Sequence, residues 1–287
     1  MPAVEAHPGA RTDAGLRDEA DRLRTLVLET HQRAGAGHLG SALSIVEILA
    51  VVLGRFFRWR GDGEPAWAGD RFVLSKGHGA LGLYAALARA GRIPPERLAE
   101  FGSNGAVLEP HPNEAAEPEL HASTGSLGQG ISIGVGLALG SRLRGAADRT
   151  WVVIGDGEAN EGQVWEAARS AAALNLSHLV VVLDDNGMQQ DGPTGGILPV
   201  DDLAGAWAAM GWRTAEADGH DCDALIRAIE ELLALPDPAP RLLRARTVKG
   251  RGVEYLEGRT ESHYPPPLSA EDLALARYLA QTRRAHG

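Results

Sequence analysis

The fold of this chain is decided by residues 151–193, WVVIGDGEANEGQVWEAARSAAALNLSHLVVVLDDNGMQQDGP. The stretch opens with a short apolar run, rich in β-branched residues, that stops at a Gly-Asp-Gly turn at 155–157 and is typical of a buried strand. Small apolar side chains at helical spacing then predict a helix over 161–174. A second apolar run over 178–183 predicts another strand, which stops at Asp-Asn-Gly at 185–187. The pattern indicates a βαβ unit, whose strands run parallel and end at the same edge of a sheet.

Oxygen-bearing groups follow both predicted strands. Asp156 offers a carboxylate, Asn186 offers a carboxamide oxygen, and the turn after Asn186 offers a free backbone carbonyl. A small set of oxygen ligands suits Mg²⁺, which takes its other oxygens from phosphates and water. Gly155 and Gly157 have no Cβ, so backbone N–H groups can approach a diphosphate closely at the start of the helix. An ordinary strand-end turn is the alternative interpretation of this motif.

The rest of the chain repeats the alternation of strand and helix. Further strands are predicted at 71–74, 212–215 and 241–247, and helices at 13–34, 44–53, 80–90, 130–143, 201–210, 222–235 and 269–284. This order predicts an α/β fold, a mainly parallel sheet with helices on both faces. Residues 1–12 are predicted to be a flexible N-terminus, and residues 13–287 are predicted to form one domain.

Glycines are unusually frequent in the helix that ends at 143. They occupy positions 130, 134, 136 and 140. Each glycine costs a helix about 1 kcal/mol relative to alanine, so their presence needs a structural reason. We predict close packing of the helix backbone against the core.

Composition excludes several classes of function. The chain has 287 residues, 44% hydrophobic content and a formal net charge of −10. It has no Lys or Arg block that could follow a phosphate backbone, so no nucleic acid partner is expected. The first twenty residues do not have the pattern of a signal peptide, and no apolar run reaches membrane-spanning length, so a cytoplasmic protein without membrane contact is expected. The single cysteine, Cys222, excludes an internal disulfide and a thiolate metal cluster.

Three local features favour a structural interpretation over a functional one. Residues 35–40 match the dinucleotide pattern G-x-G-x-x-G, but a predicted helix precedes them where that motif needs a strand. The glycines around Lys249 resemble a phosphate-binding loop without the required spacing. His121 is predicted to be a surface histidine.

Five segments resemble, in chain order, those of the transketolase family. They are RAGAGHLG at 33–40, LSKGHGALGLYAALARAG at 74–91, TGSLGQGISIGVGLALG at 124–140, the stretch from Gly-Asp-Gly to Asn186, and VKGRGVEYLEGRTESH at 248–263. The resemblance implies the thiamine diphosphate-binding fold and an enzyme that moves a two-carbon ketol unit from a ketose to an aldose. Leu39 and Ser126 depart from the family, because many full-length members have proline at both positions.

The resemblance also implies roles for individual residues. The metal, which is Mg²⁺ or another divalent cation such as Ca²⁺ or Mn²⁺, would be held by Asp156, Asn186 and the carbonyl of Met188. The histidines implied to contact substrate and act in catalysis are His38, His111 and His263. The residues implied to contact the cofactor or to couple paired sites are His78, Gly125, Leu127, Gly155, Asp156, Gly157, Glu161, Glu166, Asn186 and His263.

A partner chain is expected for this domain. Full-length transketolases continue into a second domain, which supplies the glutamate that activates the aminopyrimidine ring and most groups that bind the sugar phosphate. This sequence ends at Gly287. The resemblance therefore implies the amino-terminal subunit of a split transketolase, joined with a C-terminal, pyrimidine-domain subunit in a two-plus-two heterotetramer that uses sugars or sugar phosphates.

Two alternative functions stay open at this point. The α subunit of a 2-oxoacid dehydrogenase also carries a Gly-Asp-Gly motif of this kind, but it is not expected to combine the motif with the segments at 74–79, 124–130 and 248–263. A non-catalytic cofactor-binding remnant is the other alternative. The retention of Asp156, Asn186 and the matching histidines argues against it.

Overall fold

The centre of the fold is a parallel sheet. In the computed structural model, which describes residues 13–61, 63–65, 67–200 and 202–282, five strands form it in the order β1-β2-β3-β5-β4. The strands are β1 (Arg71–Leu74), β2 (Thr150–Gly155), β3 (Leu179–Asp185), β4 (Arg213–Asp218) and β5 (Arg241–Arg246). Each neighbouring pair is parallel, so the carboxyl ends of β1, β2, β3 and β5 lie at one edge. The predicted parallel sheet is confirmed.

Helices cover both faces of this sheet. They are α1 (Asp13–Ala34), α2 (Leu39–Ser44), α3 (Val46–Val51), α4 (Ala80–Arg89), α5 (Gln129–Leu143), α6 (Gly162–Ala173), α7 (Thr194–Ile197), α8 (Leu203–Ala209), α9 (Cys222–Ala234) and α10 (Ala270–Thr282). Short 3₁₀ turns occupy Gly77–Gly79, Pro95–Glu100, Glu158–Asn160, Glu254–Leu256 and Thr260–Ser262. None of these helices, within the described part of the chain, is long and apolar enough to cross a membrane.

Alternate residues of the strands face two separate cores. Trp151 and Val153 of β2 point into a core built with α1 to α4 and α9, whereas Val152 and Ile154 point into a core built with α5, α6 and α8. This is the two-faced burial expected for a central parallel strand. The α/β fold class with helices on both faces is therefore confirmed.

Two predictions about local structure are wrong. The single helix predicted at 44–53 is instead α2, a break at Ile45, α3 and a π-helical turn at Val52–Phe56. A nearly all-apolar segment carries no periodic signal of such a break. Next to the break, the carbonyl of Leu43 accepts a hydrogen bond from Arg24. His121 is not a surface histidine, because it is half-buried and its Nδ1 accepts the backbone N–H of Phe72 at 3.1 Å. Burial lowers the pKa of His121 to about 4.

The glycines of α5 divide into two kinds. A Cβ added at Gly134 would lie 2.4 Å from Cγ2 of Val152, and one added at Gly130 would lie 2.6 Å from Cα of Ser75. Predicted close packing is therefore confirmed for these two glycines, against strand β2 and the loop after β1. A Cβ added at Gly136 meets no atom of the described residues within 4 Å, and at Gly140 it would lie 3.5 Å from the end of Arg144. Packing does not explain these last two glycines.

The two kinds of glycine predict opposite effects of alanine. Gly134→Ala should lower the free energy of unfolding by about 1–3 kcal/mol, since the added methyl group overpacks the core. Gly136→Ala, the matched control on the exposed side of the same helix, should raise it by about 0.5–1 kcal/mol through helix propensity. Denaturant titrations of the two variants measure both values. Equal effects would contradict the packing argument.

Candidate active site

A cavity of about 250 Å³ opens at the carboxyl edge of the sheet. Among the predicted site residues, it is lined by His38, His78, His111, Gly125, Leu127, Gly155, Asp156, Gly157, Glu161, Asn186, Met188 and His263. Glu166 does not line the cavity and is exposed on α6. Segments more than two hundred residues apart in the chain therefore meet at the edge that the strand-end motifs predicted.

The predicted histidines form a cluster on one wall. The ring of His38 lies 4.9 Å from that of His263, 5.2 Å from that of His111 and 5.6 Å from that of His78, measured between ring centroids. Burial lowers the pKa of His38 to about 3 and that of His263 to about 4, and neighbouring positive charges add to both shifts. Burial also lowers the pKa values of His78 and His111. The cluster is therefore neutral at pH 7, and its members can donate and accept hydrogen bonds.

Asp156 and Asn186 occupy the ends of β2 and β3. The Asp156 carboxylate accepts a hydrogen bond from the hydroxyl of Thr194 at 2.7 Å, and burial raises its pKa to about 6. The Asn186 amide donates to Asp184 at 2.9 Å, while its oxygen accepts the backbone N–H of Met188 at 3.0 Å. The orientation of the Asn186 carboxamide is thereby fixed, with its oxygen on the side opposite Asp184.

This donor set fits a divalent cation only if uncharged oxygens take part. Within the described ranges, no group of three His, Cys, Asp or Glu side chains is placed to hold a metal ion. One buried carboxylate, one carboxamide oxygen and one backbone carbonyl are an oxygen set of the kind that Mg²⁺ accepts. Asp184 and Asp185 add to the raised pKa of Asp156, and a bound cation would oppose that shift.

A buried ion pair beneath these groups was missed by sequence reasoning. Lys76 and Asp184 have no exposed surface and form a salt bridge. Asp184 also accepts hydrogen bonds from the hydroxyls of Ser44, at 2.7 Å, and Thr247. Burial alone would raise the pKa of Asp184, but Lys76 and these donors lower it overall. Lys76 lies in the SKGHG segment at 75–79, and the resemblance of that segment to the family was the signal that could have indicated a functional lysine.

Glu158 was also missed, although it lies between Asp156 and Glu161. Its Oε1 accepts hydrogen bonds from the hydroxyl of Ser75 and, at 2.8 Å, from the backbone N–H of Gly128. Its Oε2 accepts the backbone N–H of Gly155 at 3.1 Å. One buried carboxylate therefore joins the loop after β1, the loop before α5 and the turn after β2. No local sequence signal marks such a contact.

Lys249 reaches the cavity despite the absence of a phosphate-loop pattern. Its ammonium donates to the carbonyl of Gln189 at 3.0 Å and lies 3.1 Å from Nδ1 of His263. Burial, followed by repulsion from Lys76, lowers the pKa of Lys249 to about 8. A lysine with this pKa carries its charge at neutral pH and can attract an anionic group in the cavity.

Comparison with known proteins decides the family. Residues 17–282 match the family described as "Transketolase, thiamine diphosphate binding domain". The chain belongs to this family. The resemblance stated from the sequence motifs is thereby confirmed, as is the expectation of a thiamine diphosphate-binding domain. These findings favour a transketolase over the 2-oxoacid dehydrogenase alternative.

Two relatives of similar length are named as subunits. The chain is 39% identical to "6-deoxy-6-sulfo-D-fructose transketolase subunit SqwG" of Clostridium sp. (strain MSTE9), over 86% of this chain and 90% of the relative. It is 33% identical to one of the subunits of an apulose-4-phosphate transketolase from Phocaeicola vulgatus, over 88% of this chain and 89% of the relative.

Solved structures give the same fold within longer chains. The crystal structure of transketolase from Campylobacter jejuni subsp. jejuni NCTC 11168 is similar with a TM-score of 0.85 and 26% sequence identity. The match covers 93% of this chain but 42% of that one. This chain therefore spans less than half the length of that transketolase.

The three hydrogen bonds of Glu158 predict that the isosteric substitution Glu158→Gln lowers the stability of the fold. Glu158→Gln replaces one acceptor oxygen by an NH₂ group, so a buried N–H or hydroxyl donor loses its partner, and the free energy of unfolding should fall by about 1–3 kcal/mol. Glu231→Gln, on the exposed side of α9, is the control and should change it by less than about 0.5 kcal/mol. Chemical denaturation tests this, and a harmless Glu158→Gln variant would show that the three loops do not depend on the carboxylate.

The lowered pKa of Lys249 predicts a pH dependence of cofactor binding. Lys249 is charged below about pH 8 and neutral above it, so affinity for thiamine diphosphate with Mg²⁺ should fall as pH rises from about 7 to 9. Lys249→Met should bind about 10- to 150-fold more weakly at pH 7 and show a flatter pH profile, since the loss of one charge-assisted contact costs about 1.5–3 kcal/mol. Calorimetry at several pH values measures this. Identical profiles for both proteins would exclude Lys249 as the titrating group.

Proposed function

We propose that this chain is the amino-terminal, diphosphate-binding subunit of a split transketolase, which transfers a two-carbon ketol unit from a ketose to an aldose acceptor. The observation that carries the proposal is the convergence of Asp156 and Asn186 with a cluster of neutral histidines on one cavity. Thiamine diphosphate, when bound, supplies the chemistry that breaks and forms the carbon–carbon bond.

The floor of the cavity would hold the metal and the diphosphate. Asp156, Asn186 and the carbonyl of Met188 would bind Mg²⁺, or Ca²⁺ or Mn²⁺ in its place. Gly157 would offer its backbone N–H to the diphosphate, and its lack of a Cβ makes room for Gln189, whose Cγ would lie 2.8 Å from a Cβ at this position. The ammonium of Lys249 adds positive charge to the same floor. Gly155 contributes by letting the turn approach the diphosphate closely.

The histidine wall would bind the substrate and transfer protons to and from it. His38, His111 and His263 would contact the ketose and transfer protons to and from its hydroxyl groups, since neutral imidazoles can both donate and accept. His78, with Gly125 and Leu127, would border the cofactor. Glu161, at the cavity, and Glu166, on the exposed face of α6, would couple the paired sites of an assembled enzyme.

A second chain completes the proposed enzyme. Two relatives that this chain covers almost fully are named as subunits, and the transketolase from Campylobacter jejuni extends well beyond the matched region. The partner would be a C-terminal, pyrimidine-domain subunit, joined in a cytoplasmic two-plus-two heterotetramer with an isologous two-fold axis. The relatives' names refer to a sulfonated and a phosphorylated sugar, which supports ketoses with an anionic end as donors.

Assembly and metal binding test this proposal together. The chain alone should show no ketol transfer, and addition of the C-terminal subunit should give activity and a heterotetramer by size-exclusion chromatography with light scattering. Asp156→Ala should lower turnover by more than about 10²-fold and abolish Mg²⁺-dependent cofactor binding, because the carboxylate ligand is lost.

The control is Asp237→Asn, which alters a half-buried carboxylate that is paired with Arg213 outside the cavity lining and should leave activity unchanged. Full activity of the chain alone would contradict the split-subunit proposal. An assembled complex that binds the cofactor but transfers no ketol unit from any tested ketose would favour the non-catalytic alternative.

A further inference from the structure

We propose that Tyr264 is a substrate-contacting and specificity-determining residue, whose hydroxyl group, held by His38, binds a neutral hydroxyl of the sugar at the mouth of the cavity. The inference rests on the proposed ketol transfer and goes beyond it. It concerns a residue that neither the sequence motifs nor the predicted catalytic set included.

The position of Tyr264 sets it apart from an ordinary surface tyrosine. Its side chain lines the cavity next to His263 and is 62% exposed. Its ring centroid lies 4.5 Å from that of His38 and 4.6 Å from that of His263. Two histidines of the cluster therefore contact the Tyr264 ring, while the rest of the Tyr264 side chain is exposed at the opening of the cavity.

The hydroxyl of Tyr264 is hydrogen-bonded to the Nε2 atom of His38. Tyr264 Oη lies 2.6 Å from His38 Nε2, which is a short hydrogen bond. The other ring nitrogen, Nδ1, is buried, and no described residue offers it a hydrogen bond. While Tyr264 keeps this position, a ligand hydroxyl would therefore be linked to Nε2 of His38 through the phenol.

The hydrogen bond to His38 leaves the Tyr264 hydroxyl able to make a further hydrogen bond, either as an acceptor or as a donor. If the phenol donates to His38, its oxygen keeps lone pairs for a ligand O–H. If His38 Nε2–H donates instead, the phenol proton is free for a ligand oxygen. A sugar hydroxyl is both donor and acceptor, so it matches Tyr264 in either tautomer of His38.

The charges around Tyr264 favour a neutral group over an anion. The two side chains whose rings contact Tyr264, His38 and His263, are neutral at pH 7, and the ammonium of Lys249 contacts Gln189 and His263 rather than Tyr264. Lys76 is paired with Asp184 below the cavity. The side chains that contact Tyr264 thus offer hydrogen bonds and carry no charge of their own, which suits the hydroxylated carbon chain of a ketose.

Kinetics of the assembled enzyme provide the first test. Tyr264→Phe keeps the ring and its packing and removes only the hydroxyl, so kcat/KM for the ketose donor should fall about 10-fold, mainly through KM, as for the loss of one hydrogen bond to substrate. Affinity for thiamine diphosphate should not change. Tyr255→Phe, on the 3₁₀ turn at 254–256 and outside the cavity lining, is the control and should match the wild type.

A double-mutant cycle with His38 distinguishes a substrate-binding role of Tyr264 from a general packing role. If the two side chains act as a unit, Tyr264→Phe should have almost no further effect on KM in a His38→Ala background. Additive effects of the two changes would overturn the pairing. A KM for Tyr264→Phe within about twofold of the wild-type value, in an active enzyme, would overturn the proposal itself.

A second measurement does not depend on activity. In the full chain labelled with ¹⁵N-histidine, the Nε2 resonance of His38 should differ between wild type and Tyr264→Phe, and titration with xylitol, a neutral polyol, should shift it in the wild type only. Identical responses of the two proteins would overturn the proposal. If the wild-type assembly transfers no ketol unit but this shift is seen, the proposed function fails while the Tyr264 hydroxyl site stands.

Discussion

The buried pair of Lys76 and Asp184 is the interaction on which the active-site edge depends. It connects the loop after β1 to the end of β3, and Asp184 extends the connection to Ser44 of α2 and Thr247 after β5. Removal of one partner from a buried pair leaves an uncompensated charge and costs about 3–5 kcal/mol. Because Asp184 also accepts the amide of Asn186, the same pair orients a residue of the candidate metal site.

Burial shapes the electrostatics of the cavity in a consistent direction. It raises the pKa of Asp156 to about 6 and lowers that of Lys249 to about 8, so each charged form costs more than it would in water. A divalent cation would stabilise the carboxylate, and an anionic diphosphate would stabilise the ammonium. The histidine wall, which burial keeps neutral, is chemically distinct from this floor. The cavity therefore separates a charged binding region from a region suited to hydroxyl groups and proton transfer.

Much of the fold and part of the site could be predicted because their signals are local. Hydrophobic periodicity and turn residues made three elements recognisable: the strand at 151–154, its Gly-Asp-Gly turn and the helix that follows. The structure places them within one or two residues of the predicted bounds. The break at Ile45 was not predictable in the same way, because the residues around it are nearly all apolar and give no periodic signal. The partner of His121 is a strand N–H forty-nine residues away, so no local pattern around His121 indicated its burial.

The sequence by itself determined the α/β class, the parallel direction of the strands, the family and the residues at the strand ends, since each follows from neighbouring residues or from a motif. Only the tertiary structure decided which other groups share the cavity. Ser75 and Glu158 are 83 positions apart, Lys76 and Asp184 are 108 apart, and His38 and Tyr264 are 226 apart. These contacts exist because parallel strands bring the ends of distant segments to one edge, and that convergence leaves no trace in the local pattern of residues.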